Sequence, residues 1–190
     1  MFLHSMGRMR AMQIRSLAAS VLLACVPAAC TAMSTYPPVA GETISTPSVS
    51  PGPEVMAGAI KEAHRITNPK SEIVFNLPAG LPENTWNRVA YLLPDSARAM
   101  EPGDEHVYSV QQVRISGGQA EVDVVYPEGK VYQLMTVKFN GGPLAGWSVA
   151  WAYRWRIPAG TPTPNDPLQI AEVAQVNESA PSAELEDNTK

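Results

Sequence analysis

From His106 onward the chain takes up a period of two and keeps it through four segments joined by short turns. Val107 to Ile115 is the first, and Gly117-Gly118 then offers two residues that accept positive φ. Gln119 to Tyr126 alternates, with Ala120, Val122, Val124 and Tyr126 on one side and Glu121 and Asp123 on the other. Pro127-Glu128-Gly129-Lys130 marks a turn before Val131 to Phe139, and Asn140-Gly141-Gly142-Pro143 another before Trp147 to Ile157. Successive side chains of a strand address opposite faces, and connections this short leave no room for a crossover. The four segments are therefore expected to pair in order as an antiparallel meander.

Upstream the period is helical. Val55, Ala59, Ala63 and Ile66, with Met56 and Ile60 beside them, form one stripe along Glu54 to Ile66, and Pro69 ends it. A second helix is expected from about Pro82 to Leu93, with Trp86, Val89, Ala90 and Leu93 on one face and Pro94 as the stop. Glu72-Ile73-Val74-Phe75 reads as a short strand between them. The expected fold class is α+β: two N-terminal helices packed on the apolar face of a four-stranded antiparallel meander sheet, spanning residues 54–157 and flanked by disordered tails.

Helices first, then strands carrying Val113-x-Ile115-x-Gly117-Gly118-x-Ala120-x-Val122 and Gly146-Trp147-x-Val149, is an order that resembles the cone-shaped fold of the nuclear transport factor 2 type. The resemblance covers about residues 54–157, without a counterpart for one of that family's helices. It implies a cavity between sheet and helices, which some members use for ligands and others for catalysis.

The two ends read differently. Residues 1–16 hold three arginines and no acid, and Leu17 to Ala29 (LAASVLLACVPAA) is uncharged and largely apolar. Its 13 residues are too few for a span, since a hydrocarbon core of roughly 30 Å needs about 20 residues of helix. A basic start, a short apolar run and small residues at its end describe an export signal peptide over 1–29, with Met9 or Met12 as alternative starts. Val26-Pro27-Ala28-Ala29-Cys30 resembles the lipobox of bacterial lipoproteins. Ala28 and Ala29 match the small positions and Cys30 the diacylated cysteine, whereas Pro27 departs from the usual aliphatic residue. Leu22-Leu23-Ala24-Cys25 is a rival site, and simple secretory cleavage nearby is a third reading. The resemblance implies an exported protein held at a bacterial membrane surface by its acyl chains, each buried CH₂ contributing about 0.8 kcal/mol.

Residues 30–53 are rich in Ser, Thr, Pro and Gly without an apolar period, and are expected to be a flexible tether. Residues 158–190 are expected to be a mostly disordered, Pro-rich acidic tail, with a short helix from Asp166-Pro167 to Gln175.

Composition removes several function classes. The formal charge is −4, and a chain beginning at Cys30 keeps 11 of the 14 basic residues against all 18 acidic ones, net −7. Such a balance opposes nucleic-acid binding, which relies on Lys and Arg to neutralise phosphates. Both cysteines, Cys25 and Cys30, precede residue 31, so the domain carries no disulfide, thiolate metal site or cysteine nucleophile. His64 and His106 stand in no metal-ligand spacing, and no cofactor motif is present. Asp123 with His106 is the acid–base pair a cone-type cavity would use, yet the alternation turns Asp123 toward water. No catalytic residue is therefore assigned.

The last segment is the sharpest feature. Trp147, Val149, Trp151, Tyr153, Trp155 and Ile157 alternate onto one side, with Ser148, Arg154 and Arg156 on the other. One reading is an aromatic platform for a sugar ring or other flat ligand, with Trp147, Trp151, Tyr153 and Trp155 as its contacts. The favoured reading is the core face of the sheet, covered by Trp86 and the first helix, because a domain this small needs such area buried. Arg154 and Arg156 would then share the solvated face with Arg114 and Lys138. The function this supports is a membrane-anchored envelope module without catalysis, which scaffolds or binds an envelope protein or glycan. The alternative is a small-ligand or hydrolytic pocket of the cone type.

Overall fold

A computed structural model describes residues 33–168 apart from Pro69 and Pro143. The expected export signal, Cys25, Cys30 and the tail from 169 lie outside the described residues. The elements are β1 (Ser34–Tyr36), β2 (Thr43–Ile44), α1 (Gly52–Thr67), β3 (Val74–Asn76), α2 (Glu83–Leu92), β4 (Arg98–Ala99), β5 (Val107–Ser116), β6 (Gln119–Glu128), β7 (Val131–Gly142) and β8 (Gly146–Ala159).

α1 begins where the chain passes close to itself. A Cβ on Gly52 would lie 2.3 Å from the Pro47 carbonyl oxygen, so only glycine fits there. The apolar stripe of α1 is then buried except at its C-terminal end, with Val55, Met56, Ala59, Ile60 and Ala63 shielded from solvent and Ile66 partly so. These residues pack with Val113, Val122, Val124, Tyr126, Met135, Val137 and Phe139 of the sheet and with Trp86 and Val89 of α2. Gly58 lets the helix come down onto β7, since a Cβ there would meet the Phe139 ring at 2.9 Å.

The expected fold class requires correction. The sheet has eight strands and is mixed, in the order β2-β1-β5-β6-β7-β8, with β3 also on β5 and β4 on β3. The four long strands do run antiparallel in sequence, but β1 pairs β2 in parallel, and β3 pairs both β4 and β5 in parallel. β1 and β3 lie end to end along one edge of β5, opposite residues 113–115 and 107–109 respectively. Strands of two or three residues are too short to display a period of two, so alternation does not detect them. Two of them, β1 and β2, fall in the segment expected to be a tether, and Thr35 there is fully buried.

The sheet also carries a second, smaller core on the face away from the helices. Val124 and Tyr126 point to the main core, whereas Val125 between them joins Val74, Met100, Val107, Tyr132, Leu134 and Ala159. Beyond β8 the described residues stay with the fold. It runs back to β3, where the buried Asn76 side chain donates to the Thr163 carbonyl at 2.8 Å and accepts from the Asn165 amide at 3.2 Å. Asn165 in turn donates to the Leu77 carbonyl at 3.0 Å. Residues 160–165, expected within a disordered tail, thus form a strap over the outer face. At its end the Leu168 amide donates to Asp166 at 3.0 Å, and the rest of the expected Asp166–Gln175 helix lies outside the described residues.

Candidate functional site

β8 is an edge strand with a change of phase inside it. Phe139 faces Val149, but Lys138 faces Trp151, so Ala150 is an extra, bulged residue. Directly opposed residues share a face, and inserting one residue reverses every position after it. Val149, opposite the buried Phe139, and Trp147, opposite Gly141, remain on the helix side, where Trp147 packs against the main core. Past the bulge Ala152 takes the inward place opposite Val137, while Trp151 and Tyr153 turn outward opposite Lys138 and Thr136.

The expectation that this row forms the core face is therefore overturned. Trp151, Tyr153 and Trp155 are 47%, 53% and 48% exposed, on the side of the sheet away from the helices. Of the four aromatic residues singled out in sequence, three come together there and Trp147 does not. The solvated face expected to hold Arg114, Lys138, Arg154 and Arg156 together is split by the same bulge: Arg114 and Lys138 share the outer face with the rings, whereas Arg154 stands opposite the buried Met135.

Two of the outer rings are held in place. Tyr153 and Trp155 meet edge to face with centroids 4.7 Å apart. The Trp155 indole N–H donates to Oγ1 of Thr136 at 2.8 Å, and the Thr136 hydroxyl donates to Asp123 at 2.6 Å. Asp123 also receives both guanidinium Nη groups of Arg114, at 2.7 and 2.9 Å. This charge-assisted pairing is the main reason the Arg114 pKa is raised further. Arg114 and Lys138 both approach Glu121, at 3.5 and 3.4 Å, and the Lys138 ammonium lies 6.0 Å from the centroid of the Trp151 ring. Two cations and two carboxylates cancel beside the rings.

Between the rings and the strap lies a cleft of about 380 Å³. Val125 and Leu134 contribute apolar surface, Asn76, Ser109 and Gln111 line one side, and Ile157 through Thr163 the other. No charged side chain lines it among the described residues. Asn76 is committed to Ser109 and the strap, and Gln111 Nε2 donates to Ser109 at 2.9 Å. Gln111 Oε1 and the Thr161 and Thr163 hydroxyls have no partner among the described residues.

A second cleft, of about 320 Å³, opens at the C-terminal end of α1 between Thr67, Asn68, His106, Glu128 and Arg154. Arg154 and Glu128 approach only to 3.9 Å there. His106 and Asp123 do not meet, because Asp123 is tied to Arg114 and Thr136 on the outer face. The region between α1 and the sheet, where a cone-type cavity would lie, holds the fully buried Met56, Ile60, Tyr108, Tyr126 and Met135. No cluster of three or more His, Cys, Asp or Glu side chains that could hold a metal is found among the described residues. No helix among them is long and apolar enough to cross a membrane.

Sequence reasoning passed over Thr136, Asn76 and Gln111. Thr136 had a signal, since alternation along β7 sets Leu134, Thr136 and Lys138 on one side. Asn76 and Gln111 had none, because their roles depend on the strap and on an irregularity of β5 between Val110 and Gln112. No protein family, curated protein or solved structure matches this chain.

Proposed function

We propose that this chain is an exported, lipid-anchored module of the bacterial envelope that works by binding a partner rather than by catalysis. The observation that carries the binding half is the outward row Trp151, Tyr153 and Trp155, three large rings that the other described residues leave about half exposed on the face of the sheet away from the helices. Contiguous apolar surface of this kind marks interaction sites, and aromatic residues dominate the energetics of such sites. The clefts are consistent with this choice, since among the described residues that line them no hydrogen bond joins a nucleophile to a base. The anchoring half is supported by the uncharged run Leu17 to Ala29 and the small residues before Cys30.

One experiment addresses both halves. The full chain, its Cys30→Ser variant and its Trp151→Ala/Trp155→Ala variant are produced in a bacterial host supplied with labelled fatty acid. Each envelope is then fractionated, and each purified protein is tested for retention on isolated envelope material. The proposal expects label on the parent and none on Cys30→Ser, with retention strongly reduced for the double variant. Label that persists without Cys30 overturns the anchor at that residue, and retention unaffected by loss of both rings overturns the binding face.

A further inference from the structure

The uncharged cleft and the ring row share one face of the sheet and one boundary. Ile157 and Leu134 line the cleft, and two residues along the same strands stand Trp155 and Thr136, joined by their hydrogen bond. The cleft and the rings thus adjoin along β7 and β8, and Trp151 to Trp155 alone extends roughly 13 Å at the usual rise of a strand. We infer that this surface is one track for a neutral oligosaccharide. The inference rests on the binding reading above and names its ligand.

Three observations select that chemistry. The cleft offers apolar surface from Val125 and Leu134 together with uncommitted neutral groups, the Gln111 amide oxygen and the Thr161 and Thr163 hydroxyls. Apolar surface with a few placed polar groups is what orients a small ligand, and a sugar ring presents both C–H faces and hydroxyls. No charged residue is among the described residues lining the cleft, and the Arg114, Lys138, Glu121 and Asp123 charges beside the rings pair with one another, which favours an uncharged ligand. Trp155 is fixed on its edge by Thr136 and against Tyr153, while about half the surface of both rings stays open. A pre-set surface loses little freedom on binding.

A second strand-forming chain is a poorer occupant of the same region. The free edge of β8 is interrupted by register shifts on both sides of residues 151–154, and Arg156 within it holds φ at 55°. Bulges of this kind blunt an edge against strand addition.

The test titrates the purified full chain, in a detergent without a sugar headgroup, with cellotetraose, with chitotetraose and with tetragalacturonate, following indole emission. Saturable change with at least one neutral tetrasaccharide, and at least tenfold weaker response to the charged one, is expected. Trp155→Ala should weaken neutral binding at least tenfold. Thr161→Trp, which fills the cleft from the exposed strap without touching the core, should do the same. Tyr91→Ala, on the exposed surface of α2, should leave it unchanged. Absence of saturable binding to both neutral probes, or binding insensitive to both cleft and ring variants, overturns the inference. Envelope retention that needs the rings, is abolished by protease treatment of the envelope and is accompanied by no sugar binding assigns the row to a protein partner. That result overturns the sugar track and leaves the binding module standing.

Discussion

The Trp155 indole N–H donates to the Thr136 hydroxyl at 2.8 Å, and Thr136 passes the link to Asp123 at 2.6 Å. Thr136 is almost fully buried, so the relay fixes an exposed ring from beneath. Thr136→Val keeps the shape and removes both bonds. It should cost about 1–2 kcal/mol in urea unfolding, and the Trp155 emission should depolarise faster. Unchanged stability together with unchanged polarisation would mean that the relay does not hold the ring.

Asn76 is the latch of the strap. Its amide group makes three bonds, to Ser109, Thr163 and Asn165, from a buried position. Asn76→Ala should lower stability by about 2 kcal/mol. Hydrogen exchange at the Asn165 amide should rise far more than exchange in β6 and β7. Uniform acceleration across the sheet would instead mean that the strap and the core open as one unit.

Gly58 sets how closely α1 approaches β7. Alanine is the better helix former by roughly 1 kcal/mol, but its Cβ would press on the Phe139 ring at 2.9 Å. Overpacking of this type costs about 1–3 kcal/mol, so Gly58→Ala should destabilise the protein on balance. Adding Phe139→Leu should recover part of the loss. A simple gain in stability on Gly58→Ala would show that the helix can lift away without penalty.

Asp104 accepts both Nη groups of Arg98 and the Glu101 amide, each at 2.7 Å. The Arg98 pairing, with a smaller contribution from the Glu101 amide, holds the Asp104 pKa below its ordinary value. A carboxylate with a depressed folded pKa stabilises the fold above its unfolded pKa, about 3.9, and loses that contribution as the pH falls through the folded value. Asp104→Asn should therefore be less stable than the parent at neutral pH, with the gap closing below about pH 4. A gap independent of pH in denaturant unfolding would assign Asp104 a purely geometric role.

Much of this arrangement was legible in the residues. Helical spacing from Val55 to Ile66 located α1, and Pro94 the end of α2. Alternation located the four long strands, but it carries no information on strands as short as Ser34–Tyr36 or Arg98–Ala99, which made the sheet larger and mixed. The misplaced face of β8 has a single cause. Trp147 to Ile157 looks like one uninterrupted alternation, and nothing in Val149-Ala150-Trp151 announces that Ala150 is bulged. The bulge becomes visible only against β7, where Phe139 and Val137 must both point inward. Asn76 escaped notice for a related reason, since its partners lie 87 and 89 positions away.

The central claim is that the β8 rings stand in water on the open face while Trp86 belongs to the core. Collisional quenching by acrylamide, on variants retaining one tryptophan at a time, measures this directly. Trp151 and Trp155 should quench several-fold more efficiently than Trp86. Equal shielding of all three in the folded protein would place the row inside and contradict the account.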